Sequence, residues 1–251
     1  MKKILALALA AVMMFALVGC QGATEKEVLT MGTNAAFPPY EFVDADNNIV
    51  GIDAEIAAAV ADKLGMELEI KDMAFDSLIT AVSSGSIDVV LAGMTVTPER
   101  AESVNFSDSY ATGIQVVIVT EDSAIATIDD LEGKKIGVQS GTTGDFYCSD
   151  TPENGGYGED AVSRYDNGAL AVAALQNGQV DCVVIDNEPA KAFVEANDGL
   201  KILETEYITE EYAAAIAKEN VELLDKFNAA LAELEAEGKL DEIIGKYIKA
   251  E

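Results

Sequence analysis

The chain has 251 residues with 45 acidic and 16 basic side chains, a formal charge of −29, and 49% of its residues are apolar. The charge argues against nucleic acid or an anionic membrane surface as partner, and the apolar fraction is ample for a core. Histidine and tryptophan are absent, which excludes a histidine metal site, a Ser-His-Asp triad and a Cys-His dyad.

The chain begins Met1-Lys2-Lys3 and runs apolar from Ile4 to Val18. Lysines before an apolar run read as a secretory signal over residues 1–19. The run is shorter than the ~20 residues a membrane span requires. It ends Leu17-Val18-Gly19-Cys20, which looks like a bacterial lipobox, so Cys20 is the expected lipidation site. Residues 20–27 then form a lipid-anchored tether, held stably because two acyl chains bind where one is marginal. Without Lys2 and Lys3, 14 basic residues face 45 acidic ones, a net charge of −31.

Val28 to Thr33 reads as the first strand. Pro38 and Pro39 forbid a helix in Asn34–Phe42 and favour an extended loop presenting Asn34, Phe37 and Glu41. Gly51 opens a helix with Ile52, Ile56, Ala59, Val60 and Leu64 at helical spacing, and Gly65 closes it. Leu68 and Ile70 alternate with charge in a second strand. Phe75 follows, then a helix capped by Asp76 and ended by Gly85. Ile87 to Ala92 is a buried strand leading into Gly93-Met94-Thr95-Val96-Thr97-Pro98-Glu99-Arg100. Thr97 suits an N-cap and Pro98 the first helical position. Arg100, one turn in, reaches back over the loop; a guanidinium beside backbone N–H groups is a receptor for a carboxylate. Strand–helix–strand–helix–strand is a parallel arrangement, and ligands sit beyond the carboxyl ends of such strands. The loops at Asn34–Glu41, Met73–Asp76 and Gly93–Arg100 therefore share one rim.

A second unit opens with the strand Ile114–Val119. Ile128–Gly133 is a short helix or turn, and Lys135–Gln139 a strand. Ser140-Gly141-Thr142-Thr143-Gly144-Asp145 then turns into a helix; its N–H groups attract anions, but it lacks the lysine of a P-loop. Asp150–Asp160 reads as a surface loop, Ala161–Tyr165 as a strand, Asn167–Gln176 as a helix and Asp181–Ile185 as a strand. Asp186, at that strand's end, either caps the next helix or meets a cation. Leu200–Leu203 and Glu211–Ala217 are strands, Val221–Glu237 an amphipathic helix and Leu240–Ile248 a shorter one. The units join without a linker, with crossings near Tyr110–Gln115 and Glu204–Glu211. Cys148 and Cys182 are either one disulfide of the second unit or two buried thiols.

Together the segments Phe37-Pro38-Pro39-Tyr40-Glu41-Phe42, Gly51-Ile52-Asp53, Ala92 to Arg100, Asn105-Phe106-Ser107-Asp108 and Gly141-Thr142-Thr143-Gly144, with Asp186, resemble the polar amino-acid binding proteins of ABC importers, the family-3 solute-binding proteins. The resemblance covers roughly Val28 to Tyr247. It implies an α/β, two-lobed type II periplasmic-binding-protein fold, with two Rossmann-like lobes joined by two hinge strands: lobe 1 from 28–112 and 208–251, lobe 2 from 113–207. It implies that Arg100 holds the ligand α-carboxylate with the backbone at Thr95 and Thr143. Gly93 and Asp186 would take the α-ammonium, Phe37 and Phe75 would flank the side chain, and Gln139 would border it. Met94 and Thr142 belong to the same ligand-binding set. Asn34 stands where many relatives have Asp, and the Asp150–Asp160 loop is richer in glycine.

The implied partners are a free amino acid and ABC permease subunits, with the membrane reached through the lipid anchor; the expected state is a monomer without cofactor or metal. A glutamate at 41 pointing into the pocket favours an arginine-like ligand, because a buried cation requires a carboxylate. One facing outward leaves Asn34 and Gln139 as a neutral pocket for a glutamine-like ligand. The competing classes are an enzyme on the same fold, such as an exported dehydratase with Glu41 as its acid or base, and a sensor subunit for a membrane receptor.

Overall fold

A computed structural model describes residues 26–204 and 208–249 of the chain. The expected signal, Cys20 and most of the tether lie outside the described residues.

Twelve strands are present among the described residues: β1 (Val28–Thr33), β2 (Ala36–Phe37), β3 (Glu41–Val43), β4 (Ile49–Val50), β5 (Glu67–Asp72), β6 (Val89–Val90), β7 (Val104–Thr120), β8 (Ile136–Gln139), β9 (Val162–Tyr165), β10 (Cys182–Asp186), β11 (Leu200–Ile202) and β12 (Ile208–Ala217). The main helices are α1 (Ile52–Leu64), α2 (Leu78–Ser83), α3 (Pro98–Ser103), α4 (Thr143–Ser149), α5 (Gly168–Gln176), α6 (Asn187–Ala196), α7 (Val221–Ala236) and α8 (Lys239–Tyr247).

Nine strands make one continuous sheet in the order β5-β1-β6-β12-β7-β10-β8-β9, with β11 also on β7. Each end of it is a parallel trio: β5, β1 and β6 at one end, β10, β8 and β9 at the other. Between them β7 and β12 run antiparallel to each other and to their outer neighbours. In each trio the first strand in sequence lies in the middle, so the loops after β1, β5 and β6 face those after β8 and β10. β2, β3 and β4 form a small separate sheet on the loop that carries Phe37 and Glu41.

The expected crossings are the β7/β12 pair. Gln115 pairs with Ile208, Gly113 with Glu210 and Ala111 with Tyr212. The strand expected from Ile114 starts ten residues earlier: β7 runs unbroken from Val104 for 17 residues. The polar run Asn105–Ser109 concealed its first half. It is ordered there by pairing with β12, including a Ser107 hydroxyl that accepts from the Ala214 N–H at 2.9 Å. β12 likewise begins before Glu211. The Asp150–Asp160 loop contains two 3-10 turns, Pro152–Asn154 and Glu159–Ala161.

Helices cover both faces of the sheet, as parallel strands require. Leu29, Met31, Ile56 and Val60 pack with Phe227 and Leu231 of α7 in the largest apolar cluster, which continues through Tyr40 and Tyr212 to Val116, Leu175 and Ile185. Phe75, Leu78, Val82 and Met94 form a second cluster on the opposite face of the first trio, and Leu131, Val138, Cys148 and Cys182 a third beside the second trio. Each fully buried aliphatic side chain contributes roughly 1.5–3 kcal/mol of transfer free energy. Cys148 and Cys182 are both buried and both free thiols, so the disulfide alternative is not adopted. Burial pushes the Cys182 thiol up to about 12, as befits two inert apolar packers.

Candidate functional site

The strand-end loops converge on a small cavity lined by Asn34, Phe37, Glu41, Phe75, Ala92, Gly93, Thr95, Arg100, Gln139, Thr142, Thr143 and Asp186. Eleven of the twelve residues expected at the ligand are in this lining. Met94 is the exception: its side chain is fully buried against Phe75 and Leu78 in the core, and its carbonyl accepts from the Ala213 N–H at 3.1 Å. Past Gly93 the chain continues along β12, with Thr95 bridged to Tyr212 and the Val96 N–H donating to the Glu211 carbonyl at 2.9 Å. Met94 thus anchors the loop to β12 and does not contact the cavity.

Arg100 is held by the local motif the sequence indicated. The Thr97 hydroxyl caps α3 by accepting from the Arg100 N–H at 3.1 Å, and Pro98 occupies the first turn. The guanidinium turns back over the loop. Nη1 donates to the Thr95 carbonyl at 2.8 Å, and Nη2 reaches across to the Gly141 carbonyl at 3.0 Å. Its carbon lies 5.3 Å from the Phe75 ring centroid, within cation–π range. Burial lowers its pKa, but a guanidinium stays protonated at any ordinary pH.

Gly93 adopts φ +52°, and a Cβ there would lie 2.8 Å from Cε1 of Phe37. Only glycine lets the Phe37 ring lie on this backbone. The Gly93 N–H donates at 2.7 Å to Asp53 Oδ2, which also accepts from the Tyr110 hydroxyl at 2.8 Å. Asp53, in the first turn of α1, is fully buried. Its carboxyl also meets that of Glu41. Burial holds Glu41 well above the ordinary carboxylate range and Asp53 at about 6. Glu41 thus lines the cavity while engaged in a structural contact, so the two orientations weighed for it coincide.

The opposing wall comes from the second trio. Gln139, at the end of β8, donates at 3.0 Å to Asn34 Oδ1, and Asn34 Nδ2 donates to the Met73 carbonyl at 2.9 Å. Thr142 caps α4, accepting from the Asp145 N–H at 3.2 Å. Gly141 packs against Asp76, whose Oδ2 accepts from the Ser140 hydroxyl at 3.3 Å. Asp76 caps no helix; its side chain makes this crossing contact instead. Asp186 occupies the N-cap position of α6 but makes no side-chain cap. It accepts from Gln115 Nε2 at 2.9 Å and from the Tyr212 hydroxyl. Burial, then the charge of Glu210, pushes Asp186 up to about 7.

Three participants are not singled out in the sequence analysis, Gln115, Glu210 and Tyr212, while Asp53 lies in a segment that carries the resemblance but has no site role there. Gln115 was detectable as a lone amide inside an apolar strand. Glu210 had no distinguishing mark in a chain this acidic, yet it is buried on β12. Its Oε2 accepts from the hydroxyls of Thr95 at 2.9 Å and Thr143 at 3.0 Å, and from Gln115 at 3.1 Å. Among the described residues the buried carboxyls around the cleft are Glu41, Asp53, Asp186 and Glu210, against one buried cation, Arg100. Asp145 is separate, paired with Arg164 at 2.7 Å.

Such a cleft, between two parallel trios linked by two antiparallel strands, has close counterparts. Residues 29–250 match the model of the bacterial extracellular solute-binding proteins, family 3. The chain belongs to that family. Another member, the arginine-binding extracellular protein ArtP of Bacillus subtilis strain 168, is 39% identical over the full length of both chains. An ancestral arginine-binding protein bound to arginine superposes with a TM-score of 0.83 at 41% identity, over 89% of this chain and 99% of that one. The ancestral protein bound to glutamine gives a TM-score of 0.83 at 40% identity, over 90% and 99%. Family-3 membership establishes the two-lobed type II fold for this chain.

Proposed function

We propose that this chain is the extracytoplasmic substrate-binding subunit of an ABC importer, taking a polar α-amino acid in the interlobe cleft, arginine first and a glutamine-like ligand second. The observation that carries the reading is Arg100 and Asp186 on opposing walls of one enclosed cavity. An α-amino acid carries an anion and a cation on one carbon, and these two side chains are their complements. Arg100 takes the carboxylate with backbone N–H groups of Thr95 and Thr143; Asp186 and the Gly93 carbonyl take the ammonium. A ligand touching both walls stabilises the closed arrangement over the open one. Phe37 and Phe75 suit a flat side chain, and Glu41 gives its cationic end a carboxylate. Four buried acids against one cation favour a ligand with a net positive charge. The known arginine-binding relatives support the same choice.

Binding without turnover is our reading, since the relatives named above are binding proteins. The lobes that serve it are 28–112 with 208–251, and 113–207, closing about the β7/β12 pair. Among the described residues no helix is long and apolar enough to cross a membrane. We assign membrane attachment to lipidated Cys20 and the action on the permease to a monomer. The deciding experiment is a calorimetric screen of the twenty amino acids with product analysis by NMR. Arginine should bind most tightly and be recovered unchanged; leucine binding more tightly than both arginine and glutamine would overturn the assignment.

A further inference from the structure

The wall of the cleft contains a contact that ordinary ionisation cannot satisfy. Glu41 and Asp53 face each other as buried carboxyls, and two carboxylates offer each other no donor. Among the described residues no N–H or hydroxyl reaches Glu41 Oε2 or Asp53 Oδ1. Asp53 Oδ2, in contrast, already accepts from Gly93 and Tyr110. The donors on Asp53 favour its anion, so the proton that joins the pair belongs on Glu41. Glu41 is also the member of the pair that lines the cavity.

We propose that Glu41 and Asp53 share one proton in the ligand-free protein, and that a cationic side chain entering the cleft expels it, so that arginine binds with release of one more proton than a neutral ligand of the same shape. The inference rests on the reading of the cleft as an amino-acid site. The balance is simple: the pair starts with one proton and a charge of −1, the guanidinium brings +1, and the proton leaves to solvent, leaving two carboxylates beside the cation. A neutral side chain offers no charge to replace the proton, which stays.

The surroundings favour this exchange. Tyr40 from the β2–β3 turn, Tyr110 from β7 and Asp186 from β10 surround the pair, with Glu188 of α6 acting on Tyr40 and with Glu210 and Tyr212 of β12 beyond Asp186. All are acids or neutral hydroxyls. The nearest buried cation, Arg100, is committed to Thr95 and Gly141 across the cavity. Nothing on the protein itself therefore replaces the proton. The upward displacement of both carboxyls by burial agrees with a proton held near neutral pH. The device sets specificity by pH: cationic ligands gain over neutral ones as pH rises.

The test is calorimetric titration of the intact protein with arginine and with citrulline, whose ureido group is an uncharged copy of guanidinium, at pH 6 in two buffers of different ionisation enthalpy. Any proton lost by Asp186 to the α-ammonium is common to both ligands and cancels. Arginine should release about one proton more than citrulline, and its affinity relative to citrulline should rise by up to about tenfold per pH unit while the pair holds its proton. Glu41→Gln, which removes the carboxyl that carries the proton, should abolish the difference. Glutamine replaces citrulline if citrulline does not bind. Equal proton counts for wild type, or a difference that survives in Glu41→Gln, would overturn the proposal while leaving arginine binding intact. Absence of arginine binding would instead overturn the reading beneath it.

Discussion

Thr95 and Glu210 are 115 positions apart in sequence, and their side chains meet at 2.9 Å. The same Glu210 oxygen receives the Thr143 hydroxyl from the opposing wall. One carboxylate thus gathers the hydroxyls of both loops. Replacing Glu210 by Ala leaves two hydroxyls and the Gln115 amide without that acceptor. A lost acceptor for buried donors costs about 1–3 kcal/mol. Urea denaturation should show a loss of that size, with weaker arginine binding; stability within about 0.5 kcal/mol of wild type would exclude the role.

On the proposed clamp, Arg100→Ala and Asp186→Ala would each leave one end of a bound zwitterion unpaired. Truncating one partner of a buried pair costs about 3–5 kcal/mol, or roughly 10²–10⁴ in affinity. Calorimetry that finds either variant within about threefold of wild type would remove that residue from the clamp.

The ligand-free protein should lose stability as pH rises. Asp186 is raised from 3.8 to about 7 and Asp53 to about 6, so the folded state binds more protons than the unfolded chain in that window. Stability from these groups is full below about pH 4 and declines through folded pKa values near 6 and 7. The lowered carboxylates Asp44, Asp130 and Glu159 act in the opposite sense, but in a more acidic range. Thermal melts from pH 4.5 to 8 should fall without ligand, and fall less steeply in Asp186→Asn, in which the raised Asp53 and Glu41 remain. A flat wild-type profile would contradict the assignment.

Gly93→Ala places a methyl group against the Phe37 ring at a backbone angle that disfavours L residues. The left-handed conformation alone costs about 1–2 kcal/mol. The displaced ring should weaken arginine binding beyond any loss of stability. Equal affinities for variant and wild type, compared by calorimetry, would show that Phe37 does not need this support.

Cys148 and Cys182 should resist thiol reagents in the folded protein and react fully once denatured without reductant. Mass spectrometry that finds the pair oxidised in freshly purified protein would contradict the free-thiol state.

Residues whose role is set by local chemistry were legible in the sequence. Thr97, Pro98 and Arg100 carry capping signals that act over one helical turn, and the structure uses each of them. Asp186 was legible as an acid at a strand's end, with capping and cation binding both open; the structure withholds the cap. Roles set by long-range pairing were not legible. Glu210 matters because the β7/β12 register places it beside Gly113, and nothing within ten residues of it specifies that register. Val104–Tyr110 alternates too poorly to read as a strand, because its order comes from β12, about a hundred positions later. Met94 failed for a smaller reason: the spacing of a loop does not reveal which side chains turn inward.

The β7/β12 pair also divides the sequence unequally between the two units. The chain departs along β7, builds the β8–β11 unit and returns on β12, beside its point of departure. The first three parallel strands lie near the start of the chain, but Phe227, Leu231 and Leu234, which fill their core, lie near its end. The second unit is thus one contiguous segment, whereas the first is complete only when both ends of the chain are present. A chain truncated before Val221 keeps every strand of the second unit and loses the helix that covers the first sheet.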